Sequence, residues 1–107
     1  MKEPCWMELL EEAPVAVQSC VLYFQERYPG SWQAKLLDSD AILRYLDSKD
    51  FEITVATFGI PNRQDWFCEV IFQGTLLKHE RNFATYELAA DEAIITAFRK
   101  LETTLSS

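Results

Sequence analysis

From Phe83 to Leu101 the chain reads FATYELAADEAIITAFRKL, its longest strongly periodic stretch. Tyr86, Ala90, Ala93, Ile94, Ala97, Phe98 and Leu101 recur at steps of three and four. That spacing gathers apolar side chains on one face of an α-helix. Thr85 is placed as the N-cap, where its hydroxyl can accept a backbone N–H of the first turn. Glu87 then lies near the positive end of the helix dipole, and Arg99 and Lys100 near the negative end. Asp91, Glu92, Thr96, Arg99 and Glu102 fall outside the apolar face and are expected in water. Ala89, Ala90, Ala93 and Ala97 thin part of the surface. A thin face lets the helix lie close against a sheet while Ile94, Phe98 and Leu101 fill the gaps. Such a face builds a core if the chain supplies a sheet for it, and binds a partner if the sheet packs elsewhere.

The sheet is expected immediately upstream, where the period changes to two. Phe51, Ile53 and Val55 face one side, and Glu52, Thr54 and Ala56 the other. Gly59, Pro61 and Asn62 mark a loop. A second strand, Trp66 to Gln73, puts Trp66, Cys68, Val70 and Phe72 on one face and Phe67, Glu69 and Ile71 on the other. Glu69 leaves that second face partly open, yet Phe67 and Ile71 are apolar. The N-terminal helices or a second subunit are expected to cover them. Gly74 ends the strand. Thr75 to Asn82 reads as a third, edge strand whose Lys78, Glu80 and Arg81 would deter unwanted pairing.

The first third of the chain is read as helical. Pro4 to Glu12 puts Trp6, Leu9 and Leu10 on one face, with the proline in the first turn. Pro14 opens a helix to about Tyr28, with Val17, Val21, Phe24 and Tyr28 in register and Cys20 beside them. A strand over Val15–Phe24 is the alternative, because valine favours strands. Ser31 to Leu37 has no decided pattern. Asp38, Ser39 and Asp40 offer N-cap residues for a helix from Ala41 to about Ser48 that buries Ile42, Leu43 and Leu46. The expected fold class is α+β: a small antiparallel sheet of about three strands against a long C-terminal helix, with additional N-terminal helices. A chain of 107 residues reads as one domain, with 1–37 as a helical part and 38–101 as the core.

The order from Asp38 to Leu101 (helix, strand, strand, strand, helix) resembles the double-stranded RNA-binding domain. The features that carry the resemblance are Phe51–Val55, the Gly59-Ile60-Pro61-Asn62 loop, Phe67–Phe72 and the alanines of the last helix. In that family the loop after the first strand reaches a minor groove, and lysines at the start of the last helix clamp phosphates. Here the helix starts Thr85, Tyr86, Glu87, Leu88 and has no lysine cluster, while Glu87, Asp91 and Glu92 repel phosphate. The same segment is similar to small α/β sandwich proteins of phages and other mobile elements.

Charge narrows the functional classes. Seventeen acidic against ten basic residues give a net charge of −7. That balance opposes non-specific binding to nucleic acid, which rests on cations neutralising phosphates, and opposes an anionic membrane surface. No apolar run approaches the roughly 18 to 20 residues of a membrane span, and MKEPCWMELLEE lacks the pattern of a signal peptide. Three cysteines, Cys5, Cys20 and Cys68, with no CxxC signal neither a disulfide framework nor a zinc site. Reduced thiols in the cytoplasm are the expectation.

Catalytic constellations are sparse. His79, the one histidine, pairs on paper with Cys68 as base and nucleophile, but Cys68 alternates with Trp66 and Val70 on the apolar face. Glu11-Glu12, Asp38/Asp40 and Asp91-Glu92 sit at helix ends or wet faces, where capping and solvation account for them. With three glycines and no GxGxxG or GKS/GKT, no phosphate-cradling loop is expected. No cofactor, no metal and no enzymatic activity are therefore expected. The loop GIPNRQD offers Ile60, Asn62 and Arg63 as recognition residues, since binding residues concentrate on loops. Phe67 and Ile71 add an apolar patch, and Trp6 and Trp32 are either core lids or interface anchors. The expectation is a protein–protein interaction module, self-associating or with a protein partner. A double-stranded-RNA module would instead need Arg63, Lys78, His79 and Arg81 on one face. An acidic nucleic-acid mimic would need Glu87, Asp91 and other carboxylates in one stripe.

Overall fold

A computed structural model describes residues 3–59 and 65–106. Along them run α1 (Glu3–Glu12), α2 (Pro14–Arg27), α3 (Trp32–Lys35), α4 (Ser39–Asp47), β1 (Phe51–Phe58), β2 (Asp65–Phe72), β3 (Thr75–Phe83) and α5 (Tyr86–Leu105). The fold is α+β, with a three-stranded antiparallel sheet in the order β1-β2-β3 and a long C-terminal helix packed on it.

The sheet keeps the alternation read from the sequence. Phe51 faces Phe72, Ile53 faces Val70, Val55 faces Cys68 and Thr57 faces Trp66. These pairs form the inner face, beneath α5. Glu52, Thr54, Ala56 and Phe58 oppose Ile71, Glu69, Phe67 and Asp65 on the outer face. β2 turns into β3 through Gln73 and Gly74, whose φ values are 49° and 82°. Two left-handed residues in succession make the tight hairpin turn whose twist matches the strands. Thr75–Phe83 is indeed a strand, and its register to β2 shifts twice, between Trp66 and Cys68 and between Val70 and Ile71. The shifts let Lys78 point to the helix side while His79 stays opposite Glu69 on the outer face.

α5 begins as its sequence dictates. Thr85 Oγ1 accepts the Leu88 N–H at 3.2 Å. The helix then runs to Leu105, a full turn past Leu101. Arg99 and Lys100 therefore lie inside it and do not face its C-terminal dipole. Arg99 instead reaches α1, donating to Glu12 at 2.6 Å and to Glu8 at 3.3 Å. Ala89 and Ile95 are buried along with Ala90, Ala93, Ile94, Ala97, Phe98 and Leu101. So broad an apolar surface marks a helix covered on several sides. The sheet lies on one side, and α1, α2 and α4 pack elsewhere around it. The residues expected in water are correspondingly tied down. Glu92 pairs with Lys78, Asp91 Oδ2 accepts from Cys5 Sγ at 4.0 Å, and Glu102 Oε1 accepts the Ala16 N–H at 2.9 Å.

α2 is helical over its valines because Ala16, Val17, Cys20 and Phe24 are buried at helical spacing. Tertiary burial outweighs the strand preference of Val15, Val17 and Val21. The short α3 resolves the undecided stretch. α4 starts two residues earlier than expected, at Ser39, because Asp38 is the cap: its carboxylate accepts the N–H groups of Asp40 and Ala41. Its buried stripe is Ala41, Ile42, Tyr45 and Leu46, with Leu43 only half-buried. Tyr45 enters the core because its hydroxyl donates to Ser19 Oγ at 2.8 Å, which removes the cost of an unpaired buried hydroxyl. Phe98 lies between Trp6 and Tyr45, with ring centroids 5.7 and 6.1 Å away. The indole N–H of Trp6 donates to the Leu36 carbonyl at 2.6 Å. Trp6 and Trp32 both belong to the core, buried and half-buried respectively.

Candidate functional site: the outer face of the sheet

α1 and α2 touch α5 and no strand. Of the two covers expected for Phe67 and Ile71, the N-terminal helices or a second subunit, the helices are thus ruled out: they bury their apolar faces on α5. Among the described residues, no helix covers the outer face of the sheet. β-Strand periodicity places apolar groups there. Phe67 contacts the Phe58 ring at 5.9 Å and the His79 ring at 5.7 Å. Ile71 stands beside Leu76, its partner on β3, and Leu76 is 58% exposed. Phe58, Phe67 and Ile71 are half-buried.

Polar groups frame this apolar strip. Glu69 Oε2 lies 3.0 Å from His79 Nδ1. Arg81 Nε donates to His79 Nε2 at 3.4 Å, and its guanidinium sits 4.9 Å from the Phe58 centroid. His79 thus lies between the Glu69 carboxylate at Nδ1 and the Arg81 side chain at Nε2. The strip therefore holds a preset acid–imidazole–guanidinium chain over two aromatic rings. Charges arranged this way fix the orientation of a partner more than they strengthen its binding.

Of the residues singled out from sequence, Phe67 and Ile71 lie on this face. Ile60, Asn62 and Arg63 lie outside the described residues. The three described basic-patch residues divide: His79 and Arg81 are on the outer face, whereas Lys78 turns inward to Glu92 and Glu80. Cys68 and His79 point to opposite sides of the sheet, so they form no nucleophile–base pair. Burial, with Glu80 and Glu92 nearby, pushes the Cys68 thiol up, and burial pushes Cys20 up to about 12. Both changes disfavour the reactive thiolate. Sequence reasoning missed Phe58 and Leu76. The period-two pattern continued through Ala56 would have found Phe58. Leu76 depends on the second register shift, which no local pattern announces.

Away from this face, a concavity of about 390 Å³ lies between the start of α4 and the start of α5 and is lined by Leu37, Asp38, Ser39, Asp40, Tyr86, Glu87 and Asp91. Tyr86 donates its hydroxyl to Asp40 Oδ1 at 2.7 Å. Burial first, and then Asp40, push the Tyr86 hydroxyl up to about 12. Among the described residues no group of three or more His, Cys, Asp or Glu is arranged to hold a metal ion, and no helix is long and apolar enough to cross a membrane. Compared with models of known protein families and with curated proteins, the chain matches none.

Proposed function

We propose that this chain is a non-catalytic protein-binding module whose recognition surface is the outer face of the sheet. The observation that carries this reading is the apolar strip Phe58, Phe67, Ile71 and Leu76, which no described helix covers. Aromatic side chains at the centre of such a patch, bordered by charge, have the composition of interface anchors. The separation of Cys68 from His79 supports a role without nucleophilic catalysis. Lys78 turned inward, and Glu87 at the start of α5, weigh against a double-stranded-RNA role. We place the protein in the cytoplasm, where thiols such as its three cysteines, none in a disulfide, stay reduced.

The test is a pull-down from lysate with the wild-type bait and with a Phe67→Asp/Ile71→Asp bait, each with and without nuclease. A protein retained through nuclease and lost with the doubly substituted bait is the expected result. Equal recovery on both baits, or recovery that disappears with nuclease, would refute the reading.

A second reading, an acidic mimic that engages a basic partner, is favoured by one observation: Asp38, Asp40, Glu87 and Asp91 line a single cleft. It requires binding to a basic protein that weakens with salt and with Asp38→Asn/Glu87→Gln. Asparagine keeps the helix cap at position 38.

A further inference from the structure

The two edges of the sheet are built differently. β3 carries four consecutive ionisable residues, Lys78, His79, Glu80 and Arg81, and its register to β2 is broken twice. Charges and bulges are the devices by which an edge strand resists pairing with another chain. β1, FEITVATF, has one ionisable residue, Glu52, and neither proline nor glycine. Its register to β2 is unbroken over all eight residues. Among the described residues, no hydrogen bond from any other element reaches its backbone apart from those of the β1–β2 ladder.

The ladder shows which backbone groups point to that open edge. The Gln73 N–H donates to the Asp50 carbonyl at 3.2 Å, so Asp50 and Gln73 form a hydrogen-bonded pair. Such pairs alternate along an antiparallel ladder. Residues 52, 54, 56 and 58 therefore direct their N–H and C=O groups to β2, and Phe51, Ile53, Val55 and Thr57 direct theirs outward.

We propose that β1 joins two copies of this chain, pairing antiparallel with its own counterpart about a two-fold axis at Thr54 to give a six-stranded sheet. In this register Phe51 faces Thr57 and Ile53 faces Val55, so all four outward residues of each copy are matched. The side chains agree with the backbone. Ile53 and Val55, both half-buried, meet on the inner face as a β-branched cross-strand pair. Thr54 meets Thr54 on the outer face, and Glu52 meets Ala56. No like charges face each other, although each copy carries a net charge of −7. A two-fold interface must be self-complementary in this way, and a foreign strand has no reason to match the same order. The proposal goes beyond the binding role of the outer face and does not depend on it. In the dimer the two outer faces become one continuous surface.

Light scattering and sedimentation velocity on the full chain, up to about 100 µM, read the mass directly; a micromolar Kd gives mostly dimer there. The expected result is a dimer for wild type and a monomer for Thr54→Lys, which puts two ammonium groups on the axis. An equimolar mixture of Thr54→Lys and Thr54→Glu should dimerise again, because residue 54 faces itself only in this register. Val55→Pro removes an outward N–H and no β1–β2 bond, a site where an edge strand tolerates proline. It should weaken the dimer at least tenfold. Thr54 is exposed, so the charge pair remains informative even if the proline variant unfolds. Wild type that stays monomeric overturns the proposal. So does a dimer that survives Thr54→Lys, or one abolished by Phe67→Asp and untouched by Val55→Pro, which would assign self-association to the outer face.

Discussion

Glu102 shows how one side chain couples two helices. Burial alone would raise its pKa, but hydrogen bonds from the Ala16 N–H, the Ser106 hydroxyl and the Val15 N–H outweigh it and hold the carboxyl below its usual 4.5. A folded-state pKa below the unfolded one means that the contribution to stability is fully present above about 4.5 and is lost as pH falls through the lower folded value. Acid should therefore loosen the junction of α2 with α5. Thermal melts between about pH 3 and 7 should show Glu102→Gln less stable than wild type at neutral pH, with the two converging in acid. A constant gap at every pH would show that the charge of Glu102 is not what matters. This role was not visible in the sequence. Glu102 falls off the apolar stripe of its helix, and its partner is 86 residues away along the chain.

At the scale of elements, the order of helices and strands was legible because it rests on local periodicity. The boundaries were decided by caps and by packing. α4 depends on the Asp38 carboxylate, which accepts from Asp40 and Ala41 at 3.0 and 3.4 Å. Asp38→Ala should cost about 1 kcal/mol, read as a lower denaturant midpoint at unchanged slope, while Asp38→Asn should lose much less. β3 was harder to read than β1 or β2. Its two register shifts interrupt the alternation, so its inward residues, Lys78 among them, do not form an apolar series. Its hairpin turn was signalled by Gly74, but Gln73 at positive φ was not foreseen, since non-glycine residues seldom adopt that conformation.

For the whole molecule, the structure is organised in tiers: sheet, then α5 with α4, then α1 and α2 against the remaining surface of α5. Phe98 lies at the centre, touching rings from α1 and α4. Phe98→Ala removes a fully buried ring. It should cost about 3–5 kcal/mol, a large share of the roughly 5–15 kcal/mol by which a domain is folded. Calorimetry should show one transition at a much lower temperature. A separate early transition for the helices would mean that α1 and α2 do not share the core of α5. The amino-acid sequence by itself determined the α+β class, the two faces of the sheet, the start of α5 and the acidic balance, because each follows from neighbours within a turn or a strand. Only the tertiary structure decided that α1 and α2 go to α5, so that the outer face carrying Phe58, Phe67 and Ile71 is left without a helix. That choice depends on which apolar surfaces fit together across long separations, and periodicity reports that a face is apolar without saying what will cover it.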